Sequence, residues 1–165
     1  MRFYLAGPID FEADKGSGWR DELKELVDQK VKDAQTREVV LFDPVAPYCF
    51  SRVSPDMSAY IHDVNLVALE QASAVVARLM KGQTSIGTPI ELYVAARMCK
   101  PIILITDMDE SVYMTYISRG AIRVSNVREA FIEMIKMCEG SEMAMLCSPI
   151  ALQFVGKDKD ANAEG

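Results

Sequence analysis

The segment that most constrains the fold consists of two apolar runs separated by a loop of small residues and a helix. The runs at 74–79 and 101–106 predict buried strands. Between them, the loop Gln-Thr-Ser-Ile-Gly-Thr-Pro-Ile-Glu at 83–91 leads into a helix predicted at 89–98. This order predicts a βαβ unit with parallel strands. The loop then lies beyond the carboxyl end of the first strand, where open α/β sheets bind their ligands.

The rest of the chain continues the alternation of strands and helices. Further strands are predicted at 3–6, 39–42 and 121–124, and further helices at 19–34, 57–72 and 127–138. This pattern predicts a three-layer, Rossmann-like α/β fold, with helices on both faces of a parallel sheet. Five strands favour the flavodoxin-like order 2-1-3-4-5. The loop after the first strand is not G-x-G-x-x-G, which counts against an ordinary dinucleotide-binding fold.

The length and composition favour one globular domain. We expect a single domain over residues 1–155 and a polar, disordered tail over 156–165. The type of segment 112–117 is undecided. Residues 141–155 are apolar without a clear period, so a terminal helix and a subunit contact both remain open.

The charge and the cysteines exclude several classes of function. A net charge of −6 argues against a general nucleic-acid or anionic-membrane surface. The four cysteines lack metal-ligand spacing and His62 is the only histidine, so we expect no metal and no cofactor. The absence of a signal peptide and of a membrane-spanning run predicts a cytoplasmic protein.

Glu91 has two interpretations from its local pattern alone. With Thr88 as N-cap and Pro89 at the first helical position, Glu91 completes a capping box. A glutamate carboxylate that faces an anomeric carbon can instead act as a glycosyl nucleophile. A second undecided feature is the proline-containing loop at 43–57, where Tyr48, Phe50 and Arg52 either cover the core edge or grip a flat heterocycle.

Three separate pieces of the chain resemble one family. They are Phe3-Tyr4-Leu5-Ala6-Gly7-Pro8-Ile9, the passage from Asn65 to Ala77, and Ser85-x-Gly87-Thr88-x-x-Glu91 followed by Ala95-Ala96 and Lys100-Pro101-Ile102. In order and spacing, over roughly residues 3–125, they are similar to nucleoside 2-deoxyribosyltransferases and their hydrolase relatives. The resemblance implies an enzyme that cleaves an N-glycosidic bond.

The resemblance implies roles for particular residues. Glu91 matches the family's catalytic nucleophile, and Tyr4 matches a first-strand tyrosine near that carboxylate. Ser85 matches the branch that hydrolyses nucleoside 5′-monophosphates, including cytidylate hydrolases, in which a serine contacts the phosphate. A neutral hydroxyl at a helix start suits a phosphate, whereas a carboxylate repels it. The substrate-binding candidates are Gly7, Pro8, Ile9, Asp43, Tyr48, Phe50, Arg52, Ser85, Gly87 and Thr88, with Thr115 or Ser118 supplied by a neighbouring subunit of a homodimer or higher homo-oligomer.

One position departs from the family pattern. Asn65 stands where the family usually has an aspartate that holds the sugar and handles protons. Asparagine can hydrogen-bond a hydroxyl, but it cannot act as an acid or base. Asp63 is the nearest replacement, although two residues along a helix its side chain points elsewhere.

The leading expectation is therefore a nucleoside 5′-monophosphate N-glycosidase. It releases a free base and a (deoxy)ribose 5-phosphate through a covalent intermediate on Glu91. Base exchange on free nucleosides is the second expectation. A non-catalytic nucleotide-binding module, motivated by Asn65, is the third.

Overall fold

The structure, a computed structural model, describes residues 1–9, 14, 16–33, 39–46, 55–109 and 120–140. The strands are β1 (Arg2–Ala6), β2 (Val40–Phe42), β3 (Ala74–Arg78), β4 (Ile102–Ile105) and β5 (Ala121–Val124). The helices are α1 (Ser17–Asp33), α2 (Pro55–Gln71), α3 (Gly87–Arg97) and α4 (Val127–Cys138).

The five strands form one parallel sheet in the order β2-β1-β3-β4-β5. This confirms the predicted α/β fold and its strand order. The strand β1 lies between β2 and β3, and Tyr4 pairs in register with Phe42 on one side and Val75 on the other. The carboxyl ends of the strands therefore share one edge, where the loops after β1 and β3 meet.

The alternation of side chains along each strand divides the core into two layers. Tyr4 and Ala6 face α2 and α3 with Leu69 and Leu92, and they belong to one buried cluster. Phe3 and Leu5 face α1 and α4 in the other cluster, with residues that include Trp19 and Met134. The period of two along β1 thus assigns Tyr4 to the α2–α3 side of the sheet.

The predicted boundaries differ slightly from those observed. The helix α2 begins at Pro55 rather than 57, and Asp63 and Asn65 lie near its middle. The segments 112–117, 141–155 and 156–165 lie outside the described residues, as do Tyr48, Phe50, Arg52, Thr115 and Ser118. The division at residue 155 stays a prediction.

A buried ionic network joins the loops after β1 and β2. The guanidinium of Arg20 is fully buried, donates to the carbonyls of Gly7 (3.0 Å) and Gly16, and lies 3.4 Å from Asp43 Oδ1. The ammonium of Lys24 lies 2.6 Å from Asp43 Oδ2. Burial lowers the pKa of Arg20, and the charge of Asp43 opposes that shift. The network holds the first loop of the sheet in place.

The close packing at Gly7 depends on the missing side chain. A Cβ added there would lie 3.0 Å from the Trp19 ring and 3.2 Å from an Arg20 nitrogen. The backbone of Gly7 can therefore approach these two side chains as only glycine allows.

Asp43→Asn tests the network. The substitution leaves the Arg20 charge buried without its carboxylate, so we expect the free energy of unfolding to fall by about 3 kcal/mol. Asp21→Asn is the matched control, because Asp21 Oδ1 lies 3.1 Å from the Nζ of the same Lys24 but its side chain is exposed. Loss of this exposed pair should cost less than about 1 kcal/mol. Denaturant titration measures both. Equal losses in the two variants would contradict the account.

Candidate active site

The centre of the site is a hydrogen bond between β1 and α3. The Tyr4 hydroxyl donates to Glu91 Oε1 at 2.6 Å. Tyr4 is fully buried, and its ring stacks on Phe42 with centroids 5.5 Å apart and planes at 15°. A buried, stacked ring cannot easily turn, so its hydroxyl fixes one rotamer of the Glu91 carboxylate.

The electrostatics of Glu91 combine opposing effects. Burial raises the pKa of the carboxyl above its ordinary value of 4.5, because desolvation disfavours the charged form. The hydrogen bond from Tyr4 and the positive charges of Arg20 and His62 act in the other direction. A carboxyl held in this way is a candidate for chemistry.

The start of α3 differs from the predicted capping box. The helix begins at Gly87, and its N-cap residue is Ile86, whose side chain makes no capping hydrogen bond. Ser85 Oγ instead accepts from the Thr88 N–H at 3.2 Å and donates to Thr88 Oγ1 at 2.8 Å. The capping-box interpretation is therefore wrong. In a capping box the backbone N–H of Thr88 would donate to the Glu91 side chain. Here that N–H donates to Ser85, and Glu91 accepts from Tyr4 instead.

A cavity opens in front of Glu91, between the first loop, α2 and the start of α3. The sequence predicted seven of its lining residues: Gly7, Ile9, Asn65, Ser85, Gly87, Thr88 and Glu91. Gly87 is exposed, and a Cβ placed there would have no atom within 4 Å. The structure thus gathers residues from three distant parts of the chain around one carboxylate.

Asn65 and Asp63 have different positions on α2. Asn65 lines the cavity, and its Oδ1 is buried with no hydrogen-bond partner in the described part of the chain. The side chain of Asp63 is 80 % exposed and lies 3.6 Å from His62 Nδ1. The structure does not bring Asp63 into the cavity, because two residues along a helix turn its side chain about 200° away from Asn65.

Two further predicted binding residues lie outside the described cavity lining. Pro8 is buried next to Gly7. Asp43 is also buried, and its carboxylate accepts from Lys24 and from the Val45 N–H, at 2.6 and 2.9 Å. Both carboxylate oxygens are engaged in this way, so Asp43 has a structural role, and its contact with substrate stays a prediction.

Sequence reasoning missed some residues of the site. Ile61, His62, Leu66 and Ile90 also line the cavity. The spacing indicated two of them. His62, Asn65 and Leu66 occupy the i, i+3 and i+4 positions of a helix and therefore share one face. Arg20 was missed because nothing in the local pattern of α1 predicts a fully buried cation.

Two further findings concern metal ions and membranes, and both apply to the described ranges of the chain. There, no group of three or more histidine, cysteine, aspartate or glutamate side chains is placed to hold a metal ion. Within the same part of the chain, no helix has the length and apolar character needed to cross a bilayer.

Comparisons with solved structures show the fold. A 2-deoxyribosyltransferase from Bacillus psychrosaccharolyticus superposes with a TM-score of 0.59 at 16% identity, covering 88% of this chain and 96% of that one. A conserved protein from Enterococcus faecalis V583 gives 0.60 at 14% identity, with 83% and 98% covered. The CMP N-glycosidase BcmB from Clostridium botulinum gives 0.53 at 17% identity, with 82% and 98% covered.

Comparison of the sequence with known proteins gives one match. No curated protein matches the chain. The family model described as nucleoside 2-deoxyribosyltransferase matches residues 3–146. Since this match spans most of the chain, the protein belongs to the nucleoside 2-deoxyribosyltransferase family, which confirms the predicted family and an enzyme of the N-glycosidase or deoxyribosyltransferase type.

Proposed function

We propose that the protein hydrolyses the N-glycosidic bond of a nucleoside 5′-monophosphate. A Glu91 oxygen attacks C1′ of the sugar and forms an ester, while the C1′–N bond breaks and its electron pair leaves with the base. Water then attacks C1′, frees the carboxylate and yields a (deoxy)ribose 5-phosphate. The observation that carries this proposal is the hydrogen bond by which Tyr4 holds Glu91 at the cavity wall.

The partial burial of Glu91 supports its role as nucleophile. A carboxylate with less water around it is a stronger nucleophile than a fully hydrated one, and the Tyr4 hydroxyl keeps it oriented. The desolvation that raises its pKa also destabilises the folded protein whenever the carboxylate is charged. Proteins commonly accept such a cost where chemistry requires it.

The start of α3 supports a phosphorylated substrate. Ser85, Gly87 and Thr88 line the cavity at a helix N-terminus, where backbone N–H groups and the helix dipole attract anions. The first turn of α3 contains no acidic residue that would repel a phosphate. The exposed Gly87 allows an anion to approach the backbone closely.

Asn65 supports the binding of a sugar. A buried carbonyl oxygen without a partner costs about 1–3 kcal/mol, and a hydroxyl donor removes that cost. Asn65 Oδ1 is such an oxygen among the described residues, and it belongs to the cavity wall. A ribose or deoxyribose hydroxyl is the donor that the proposed substrate offers.

The proposal includes a homodimer or higher homo-oligomer in the cytoplasm. Ile86, Ile90 and Tyr93 expose large apolar side chains on one face at the start of α3, where Ile90 lines the cavity, and Ile86 is 72% exposed. The cavity of about 190 Å³ is smaller than the roughly 300–1,000 Å³ of most ligand pockets. A second subunit on this face would cover the apolar surface and enlarge the site. Cys99 and Cys138 are in the thiol form, which fits a reducing compartment.

The first test is base release by wild-type protein and Glu91→Gln. We expect wild-type protein to release base from at least one monophosphate in a panel of nucleotides and nucleosides, followed by chromatography. Glu91→Gln should lower that rate by roughly 10³-fold or more, because an amide cannot replace the nucleophile. An unchanged rate would refute the assignment. With a second free base present, formation of a new nucleoside would favour base exchange, the activity in the name of the Bacillus protein.

The fold of Glu91→Gln has its own control. Folding raises the pKa of Glu91 above 4.5, so the stability linked to this group is present at low pH and is lost as pH rises through the folded pKa. Glutamine is neutral throughout. We therefore expect Glu91→Gln to be at least as stable as wild-type protein at neutral pH, with a smaller advantage at about pH 4.

Ser85→Asp tests the phosphate. A carboxylate at this position repels a phosphate dianion, so KM for the best monophosphate should rise by at least about tenfold, while KM for the matching nucleoside changes little. Ser85→Ala is the control. It removes the helix-start hydrogen bonds without adding charge, and it should raise the monophosphate KM by a smaller factor. Equal effects of Ser85→Asp on both substrates would contradict phosphate binding here.

Tyr4→Phe tests the hydrogen bond through the pH profile. The bond from Tyr4 lowers the pKa of Glu91, so its removal raises that pKa further. A smaller fraction of the Glu91 carboxyl is then ionised at low pH. In kcat/KM measured from about pH 5 to about pH 9, the acidic limb should therefore move to higher pH. Tyr60→Phe, on the exposed part of α2, removes a hydroxyl away from Glu91 and should leave the limb in place. No movement in Tyr4→Phe would refute this coupling.

A further inference from the structure

The cavity contains an ionisable side chain that the proposed reaction has not yet used. His62 lines the cavity from α2, three residues before Asn65 and thus on the same helix face. Its side chain is 58% exposed, which places it at the solvent side of a cavity whose wall includes Glu91.

The proposed reaction requires a proton donor as well as a nucleophile. The electrons of the C1′–N bond leave with the base, and an unprotonated base is a poor leaving group. This need for a proton donor rests on the proposed function. Among the described residues that line the cavity, only Glu91 and His62 carry side chains that act as general acids or bases. Glu91 cannot be both nucleophile and donor in one step, and the amide of Asn65 carries no acidic proton.

We infer that His62 is the general acid that protonates the departing base. As the Glu91 oxygen bonds to C1′, the C1′–N bond breaks, and the imidazolium gives its proton to the base atom that receives the electron pair. The neutral imidazole then accepts a proton from the water that attacks C1′, and Glu91 leaves as a carboxylate. Both half-reactions balance, and His62 returns to its starting state.

The surroundings of His62 fit this role. Its imidazole is near enough to Glu91 for its positive charge to act on that carboxyl. Asp63 Oδ1 lies 3.6 Å from Nδ1, too far for a hydrogen bond but close enough to attract a charged ring. Since Nδ1 faces Asp63 on the exposed side, Nε2 is the nitrogen assigned to the substrate.

The test compares two leaving groups in wild-type protein and His62→Gln. One substrate is the monophosphate that wild-type protein cleaves fastest. The other is its N-methylated, cationic analogue, such as 7-methylguanosine monophosphate for guanine or 3-methylcytidine monophosphate for cytosine. The methylated base departs as a neutral molecule and needs no proton. We expect His62→Gln to lower kcat/KM by about 10²–10⁴-fold for the ordinary substrate and by less than about threefold for the cationic one.

Equal losses for the two substrates would overturn the inference, because a merely structural His62 affects both alike. Loss for neither would overturn it as well. Glu70→Gln, near the exposed end of α2, is the control and should change neither rate. If wild-type protein releases base from no substrate, the proposed function itself fails, an outcome distinct from an insensitive His62→Gln.

A second measurement uses the exposure of His62. Free imidazole can reach a site at the solvent side of the cavity. Added imidazole should therefore restore at least about tenfold of the activity lost in His62→Ala for the ordinary substrate, and none in Glu91→Gln. Absence of rescue, together with equal sensitivity of the two leaving groups, would assign His62 a packing role.

Discussion

The hydrogen bond between Tyr4 and Glu91 is the interaction on which the site depends. It joins a central strand to the helix after β3, through two residues that are 87 positions apart in the chain. The bond requires that Tyr4 face α3, which follows from the alternation along β1, and that Phe42 hold the ring, which follows from the register with β2. A one-residue slip of β1 would send Tyr4 to the other face of the sheet and leave Glu91 without its donor.

Much of the fold follows from the order of the elements. Alternating strands and helices can form few topologies, and the flavodoxin-like order is confirmed. The grouping of Ser85, Gly87, Thr88 and Glu91 is also accessible from the sequence, since one loop carries them all past the carboxyl end of β3. Their approach to Tyr4 was implied by resemblance rather than by any local pattern.

The features that the sequence missed are tertiary interactions, which a local pattern cannot weigh. The capping box at Thr88 was wrong because Glu91 finds a donor on another strand, and Ser85 bonds to the Thr88 N–H instead. For Asp43 the sequence predicted a contact with substrate, which stays a prediction, but it did not predict the partners of the carboxylate. Its carboxylate is engaged by Arg20 and Lys24, two cations that α1 contributes from outside the turn. A buried arginine has no signature in sequence spacing, so this network becomes visible only in the structure.

The central claim is that Glu91 forms a covalent bond with the sugar. The most direct measurement is mass spectrometry of protein quenched during reaction with a 2-fluoro-2-deoxy nucleotide analogue, whose fluorine slows both formation and breakdown of a glycosyl ester. The account predicts a mass increase equal to the fluorinated sugar phosphate less one water, confined to the peptide that contains Glu91 and absent from Glu91→Gln. An adduct on another residue, or base release from the analogue with no adduct at any time, would contradict it.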